Sequence, residues 1–337
     1  MSPVLFREQA WRFLTDLLEN ERAIILCDSN TNQCFEYLHV ACPKSAELPV
    51  ILMPAGEQYK TLKTCEMVWH QLTEFGADRS TILVNLGGGV VTDLGGFAAS
   101  TFMRGIRFVN IPTSLLGMVD AAIGGKTGVD FGGLKNMVGT FSQPEAVLIN
   151  SNFLKTLPAR QYRNGLAEVL KHAFISDSSI LNLMDANEDE LISRSVQVKL
   201  DIVKRDEFES GERKKLNFGH TIGHAIESYF LETDKPVLHG EAIAAGMILE
   251  SWISHKVADL SNAELNSICT AIDSIFSKIP ISETDWSSIK KLLIYDKKNR
   301  DGQVQFVLLR AIGDAVTDQS VPEELLNQAF HFYTARS

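Results

Sequence analysis

The stretch from Thr81 to Asp93 constrains this chain more than any other. Thr81 to Leu86 is a short apolar run of the kind that forms a buried strand, and it passes without a linker into Gly87, Gly88 and Gly89. A helical pattern then starts at Val90, Val91, Thr92 and Asp93. Strand, glycine turn and helix start in succession make a phosphate cradle: glycines admit a close backbone approach, and amide N–H groups at the positive helix end stabilise a pyrophosphate. The dinucleotide fingerprint is G-x-G-x-x-G, and Thr92 stands where its third glycine belongs, so on this segment alone a tight turn with no ligand is an alternative. The rest of the front half follows the same plan. Ala23 to Leu26, Val50 to Met53, Phe108 to Ile111 and Ala146 to Ile149 are further short apolar runs, separated by helical patterns or turn residues, as in a parallel sheet with helices on its faces. Fifteen of the 23 glycines precede Ser151, and amphipathic helix dominates from about Leu157, with Gln303 to Arg310 alternating enough for a short strand. The expected fold is an α/β, Rossmann-like dinucleotide-binding domain over residues 1–155 and a mainly α-helical domain over residues 156–337.

Composition narrows the function. A chain of 337 residues has core enough for two domains. Its 42 acidic against 32 basic residues give a net charge of -10, which argues against a general nucleic-acid binder. No run reaches the roughly 18 apolar residues of a membrane span. Arg7, Glu8, Arg12, Asp16 and Glu19 interrupt the region where a signal peptide would be apolar, so a soluble, cytoplasmic protein is expected. Five cysteines without a C-x-x-C pair read as free thiols.

Two further segments carry chemistry. Asp120 to Asp130 is dense in glycine around Lys126, and Lys135 and Asn136 follow closely. Gly124-Gly-Lys-Thr127 is not a Walker A loop, because no glycine stands at that motif's first position. What remains is a pair of lysines in loops read as flexible enough to wrap an anion. In the helical half, His220 and His224 sit at i and i+4 on one helix face, and His239 and Glu241 open another apolar helix. Between Gly165 and Phe174, Leu166, Val169, Leu170 and Ala173 share one face, while Glu168, Lys171 and His172 share the other, which reads as polar. A carboxylate and two imidazoles with an open position suit a catalytic zinc. Lys171, Lys199, Arg213 and Lys297 or Lys298 flank these groups and, with Lys126 and Lys135, are suited to a multiply anionic small molecule.

These segments resemble the 3-dehydroquinate synthases of the sugar-phosphate cyclase superfamily over nearly the whole chain. The likeness runs through Gly56 to Lys60, Gly87 to Asp93, Arg104-Gly105, Pro112 to Leu116, Val119-Asp120, Gly124 to Val129 and Lys135-Asn136. It continues through Thr156 to Arg160, Ala167 to Lys171, Arg213, Leu216 to His224, His239 to Glu241 and Asp296 to Lys298. The resemblance implies a dehydroquinate synthase-like, glycerol dehydrogenase-like fold and a homodimer. It implies a divalent metal, zinc or cobalt, on Glu168, His220 and His239, with His224 a pocket residue; spacing alone would have made His224 a ligand. It implies NAD contacts from Asp28, Gly56, Glu57, Lys60, Gly88, Gly89, Val90, Asp93, Thr113, Ser114, Lys126 and Lys135, and from Phe153, Leu154, Lys155 and Thr156. Contacts to a phosphorylated keto acid are implied for Asp120, Lys126, Asn136, Lys171, Lys199, Arg213, Asn217, His224 and Lys297, with Arg104 reaching a partner subunit's site. Two positions depart from the family pattern: Asp130 replaces the usual asparagine, and Leu134 a glycine. The implied reaction converts 3-deoxy-D-arabino-heptulosonate 7-phosphate to 3-dehydroquinate and phosphate. The alternatives are another sugar-phosphate cyclase, or an NAD- and metal-dependent polyol dehydrogenase on the same fold.

Overall fold

The computed structural model describes residues 2–184, 187–231, 233–293 and 304–336. The chain divides into two compact units, Met1–Tyr162 and Arg163–Ser337. In the first, strands β1 (Val4–Phe6), β2 (Ala23–Asp28), β3 (Val50–Met53), β4 (Ile82–Gly87) and β5 (Arg107–Pro112) precede a hairpin of β6 (Lys126–Phe131) and β7 (Leu134–Phe141), after which comes β8 (Val147–Ile149). Helices α1 (Arg7–Asn20), α2 (Phe35–Ala41), α3 (Leu62–Glu74) and α4 (Gly89–Thr101) intervene. Six strands form one sheet in the order β1-β8-β5-β4-β2-β3, and every pair is parallel. Strands β2 and β4 are buried at every residue, as strands covered on both faces must be.

The order places the topological switch between β2 and β4: the chain leaves β2 for β3 on one side and returns to β4 on the other. Ligands of such sheets bind at the carboxyl ends of the strands at that point. Asp28 ends β2 and Gly87 ends β4, and their preceding residues, Cys27 and Leu86, are register partners. Helix α4 lies close on this sheet because glycine lets it. A Cβ on Gly95 would fall 2.0 Å from Asn85 Oδ1 and 2.9 Å from Leu26. Gly95→Ala is therefore expected to destabilise the protein by about 1–3 kcal/mol, the cost of overpacking a filled core, read as a lower urea midpoint at unchanged slope.

The expected strands of the front half all occur, with ends moved by a residue or two. β1 and the hairpin were not foreseen. The segments after Asp120 read as flexible anion-wrapping loops are largely β6 and β7, paired antiparallel from Lys126 opposite Phe141 to Phe131 opposite Leu134.

The second unit is mainly helical: α5 (Ala159–Ile175), α6 (Glu188–Arg205), α7 (His220–Leu231), α8 (His239–Val257), α9 (Asn262–Asp273), α10 (Glu283–Leu293) and α11 (Glu323–Ala335). The late strand is β9 (Gln305–Ala311), and it pairs antiparallel with an unforeseen β10 (Asp314–Ser320). Helices α7 and α8 approach backbone to backbone. A Cβ on Gly246 would lie 2.0 Å from the Gly219 carbonyl oxygen, and one on Gly223 3.1 Å from Ile243 Cα. Helix α5 is buried from Asn164 through Ile175, so the face carrying Glu168, Lys171 and His172 is not a solvated one. All five cysteines are free and buried. Among the described residues no helix is long and apolar enough to cross a membrane.

Candidate active site

The first unit brings together two groups of residues at the sheet's carboxyl edge. One is the cradle. Gly88 caps α4, which starts at Gly89 with Val90 behind it. Side chains are excluded here by crowding: a Cβ on Gly87 would sit 2.5 Å from Val91, and one on Gly88 3.2 Å from Ser114 Oγ. The Thr113 amide donates to the Gly87 carbonyl at 2.9 Å, which ties the end of β5 to the cradle. Asp28 is organised by its own turn, its Oδ1 accepting from the amides of Asn30 and Thr31 at 2.9 and 3.0 Å.

The second group is an ionic network. Lys60, only 3% exposed, donates to Asp93 Oδ2 and to Asn136 Oδ1, both at 2.6 Å. Lys135 donates to Glu57 Oε1 at 3.0 Å. Burial works against the Lys60 charge, but Asp93, Glu57 and Asp130 outweigh it and raise its pKa. Asp93 is raised by burial, with Lys60 opposing. Asp130 holds the second strand of the hairpin in place, since its Oδ1 accepts from the Asn136 amide at 2.7 Å, where Asn136 sits at φ +52°. Gly56 turns the chain into this network at φ +118°.

The other residues expected at the site differ in exposure. Phe153 and Leu154 are core side chains, Phe153 packing edge-on to Trp11 and Tyr37, so only their backbone could face a ligand. Lys155 is exposed and Thr156 half-buried. Lys126 is exposed at the start of β6, and Asp120 is half-buried in the turn Gly117–Ala121. Arg104 is exposed on a turn where Met103, Arg104 and Gly105 all have positive φ (49°, 71° and 117°). Lys297, with Asp296 and Lys298, lies outside the described residues.

In the second unit, Glu168, His220 and His239 each offer a ligand atom, and these atoms lie within 4.8 Å of one another. Glu168 is fully buried on α5. His239 Nε2 is 3.2 Å and His220 Nε2 3.4 Å from the same oxygen, Glu168 Oε1, while Lys171 donates to Oε2. The outer nitrogens are held too. His220 Nδ1 is 3.0 Å from the Phe218 carbonyl oxygen, and His239 Nδ1 3.1 Å from Glu227 Oε2. Carbonyls and carboxylates only accept, so both Nδ1 atoms carry protons and both Nε2 atoms face inward. His224 stands beside them, its ring centre 5.1 Å from that of His220 and 5.8 Å from that of His239.

Burial tends to raise Glu168, yet Lys171 and the two histidines hold it well below the usual carboxylate range. Burial pulls His220 down, with Glu168 opposing. For His239 burial also works downward, but Glu227 and Glu168 prevail and push it up to about 10. Two Nε2 atoms and a carboxylate oxygen thus converge, each imidazole held from behind through Nδ1, and a donor set of one carboxylate and two imidazoles fits a divalent cation.

Four residues that frame these groups were not foreseen: Glu227, Glu250, Asn164 and Asp206. Glu250, fully buried, accepts from the amides of Gly219 at 2.7 Å and Ile222 at 3.1 Å, fixing the start of α7 and so His220. Asn164 Oδ1 accepts from the Gly240 amide at 2.5 Å and fixes the start of α8 and so His239. Lys199 and Arg213, read as cations flanking the site, are 6% and 1% exposed. Arg213 Nη1 donates to the Glu207 carbonyl, and Asn217 Nδ2 to Glu209 Oε1 at 2.6 Å.

Asp206 shapes the loop that presents Arg213. Its Oδ1 accepts from Ser210 N and Oγ, and its Oδ2 from the amides of Gly211 at 2.7 Å and Arg213 at 3.0 Å. Slight withdrawal from water works to raise its pKa, but the Gly211, Arg213 and Ser210 amides lower it from 3.8 to about 2. A folded-state pKa below the unfolded one gives stability that is complete above pH 3.8 and lost as pH falls through 2. Asp206→Asn should thus melt below wild type at neutral pH, and the gap should close through that window. A gap independent of pH would show that the carboxylate does not organise the loop.

Comparison with known proteins gives the family. The 3-dehydroquinate synthase N-terminal model matches residues 50–164 and the C-terminal model residues 165–299. A 3-dehydroquinate synthase of Parabacteroides distasonis is 41% identical over 328 residues, covering 94% of this chain and 92% of its own length. A 2-epi-5-epi-valiolone synthase from Streptomyces hygroscopicus, solved with NAD+ and Zn2+ bound, superposes with a TM-score of 0.83 at 29% identity, covering 100% of this chain and 98% of that one. A 2-deoxy-scyllo-inosose synthase complexed with carbaglucose-6-phosphate, NAD+ and Co2+ gives 0.82 at 25% identity, covering 96% and 95%.

Proposed function

The chain belongs to the 3-dehydroquinate synthase family, and we propose a division of labour in which the first unit carries NAD and the second a divalent metal and the anionic groups of the substrate. The enzyme converts 3-deoxy-D-arabino-heptulosonate 7-phosphate to 3-dehydroquinate and phosphate by transient oxidation, phosphate elimination, re-reduction, ring opening and intramolecular aldol closure. When bound, NAD supplies a reversible hydride acceptor for the C5 carbon, and the metal supplies Lewis acidity at its oxygen. The observation that carries the reading is the inward convergence of Glu168, His220 and His239, each imidazole fixed from behind.

The rest of the chemistry falls to the chain's own groups. The amides at the start of α4, after the Gly88 cap, take the cofactor pyrophosphate. Asp28 ends β2 at the sheet's carboxyl edge, which supports a contact to the ribose hydroxyls. Lys60 ties Asp93 on α4 to Asn136 on β7, and Lys135 pairs with Glu57, while the Thr113 amide on the Gly87 carbonyl keeps Thr113 and Ser114 beside the cradle. Lys171, beside Glu168, and the buried Lys199 and Arg213 supply positive charge to a substrate bearing both a carboxylate and a phosphate. His224 is the pocket imidazole available to move a proton. The exposed Arg104, held out on its left-handed turn, supports a homodimer in which it reaches the partner's site. Free buried thiols support a reducing, cytoplasmic setting.

The test is one assay with two readouts: phosphate release and dehydroquinate formation from the heptulosonate phosphate at substoichiometric NAD. Many turnovers per NAD with no lasting absorbance from NADH are expected. NADH accumulating one for one with substrate would instead identify a polyol dehydrogenase.

A further inference from the structure

We propose that Glu227 is the positioning residue of the metal centre, the carboxylate that fixes the tautomer and ring angle of His239; the inference rests on the metal reading above. On α7, His220, His224 and Glu227 fall at i, i+4 and i+7, one face of the helix. Glu227 is only 4% exposed. A carboxylate so far from water needs a partner, and it has His239 Nδ1 at 3.1 Å.

The two histidines of the centre are consequently not equivalent. Behind His220 stands a neutral carbonyl, that of Phe218, whereas behind His239 stands a charge. A carboxylate behind an imidazole fixes which nitrogen is bare and makes that nitrogen the better donor. His239 is also the residue that needs such help. It is the first residue of α8, and its side chain is 23% exposed against 9% for His220, so packing alone confines it less. Glu227, His224 and His239 also have ligand atoms within 4.8 Å of one another, but Glu227 meets the His239 nitrogen turned away from Glu168.

The experiment strips the full-length chain with a chelator and titrates it with Co2+ alone. Affinity is read by chelator competition and ligand geometry by the visible Co2+ absorption. Glu227→Gln keeps an acceptor of the same shape and removes only the charge. It is expected to bind Co2+ about tenfold more weakly with shifted absorption bands, and Glu227→Ala up to about a hundredfold more weakly. Thermal unfolding of the stripped Gln variant should match wild type. Wild-type affinity and bands in Glu227→Gln would overturn the proposal whatever Glu227→Ala does. Loss as complete as in His239→Ala would also overturn it, by making Glu227 a ligand. Undiminished Co2+ binding in His239→Ala would instead remove the metal reading itself.

Discussion

His220→Ala and His239→Ala should each lose the divalent metal, whereas His224→Ala should keep it. The three imidazoles crowd together, ring centres 5.1 to 5.8 Å apart, so proximity does not decide between them. Direction does. Two of them aim Nε2 at one buried oxygen, Glu168 Oε1, at 3.4 and 3.2 Å, and both are locked in that pose through Nδ1. If three ligands share an apparent binding energy of roughly 10–16 kcal/mol, deleting one costs at least about 3 kcal/mol, more than a hundredfold in affinity. Glu168→Ala should be worse still. It also leaves Lys171, 1% exposed, without its buried carboxylate, at an expected stability cost of about 3–5 kcal/mol. Metal content after dialysis against chelator, with a melting curve for each variant, checks the set. Full metal occupancy in His220→Ala would refute the assignment.

How much of this was legible beforehand follows from where each residue gets its instructions. β4 and its glycines announce themselves because a strand buried on both faces is continuously apolar, and because the cradle's requirements are local. The hairpin of β6 and β7 does not. Its glycines read as loop, yet Gly128 and Gly139 face each other across the ladder. A Cβ on Gly139 would meet the Thr127 carbonyl oxygen at 2.2 Å, so they mark close strand contact. Helix α5 misled in another way. Its period was right, but a polar stripe means solvent only if the other side holds the core, and α5 is buried all round from Asn164. Glu227 could have been found, since its spacing from His220 and His224 is local. Glu250 and Asn164 could not: each accepts from a backbone amide far along the chain, Gly219 in one case and Gly240 in the other.

Arg213→Ala should cut catalytic efficiency with the heptulosonate phosphate by roughly 30- to 4,000-fold, the equivalent of about 2–5 kcal/mol for losing a buried, charge-assisted contact. The argument begins with burial. Arg213 is 1% exposed, its backbone is tied to Asp206 and its Nη1 to the Glu207 carbonyl. A guanidinium carries five N–H donors in a fixed fork, and the fork matches a carboxylate through two parallel hydrogen bonds. Two structural relatives solved with NAD+ are synthases of other products, one of them complexed with carbaglucose-6-phosphate. The carboxylate is the group that distinguishes the heptulosonate phosphate from such a sugar phosphate, so Arg213 and Lys199 are where discrimination should lie. Arg213→Lys keeps the charge but loses the fork, and should recover only part of the activity. The decisive comparison sets catalytic efficiency of wild type and both variants against their binding of a carboxylate-free phosphate analogue. Selective loss with the heptulosonate phosphate identifies the carboxylate clamp. An equal loss against both ligands would place Arg213 at the phosphate, or make its role structural, and leave the acid to other groups.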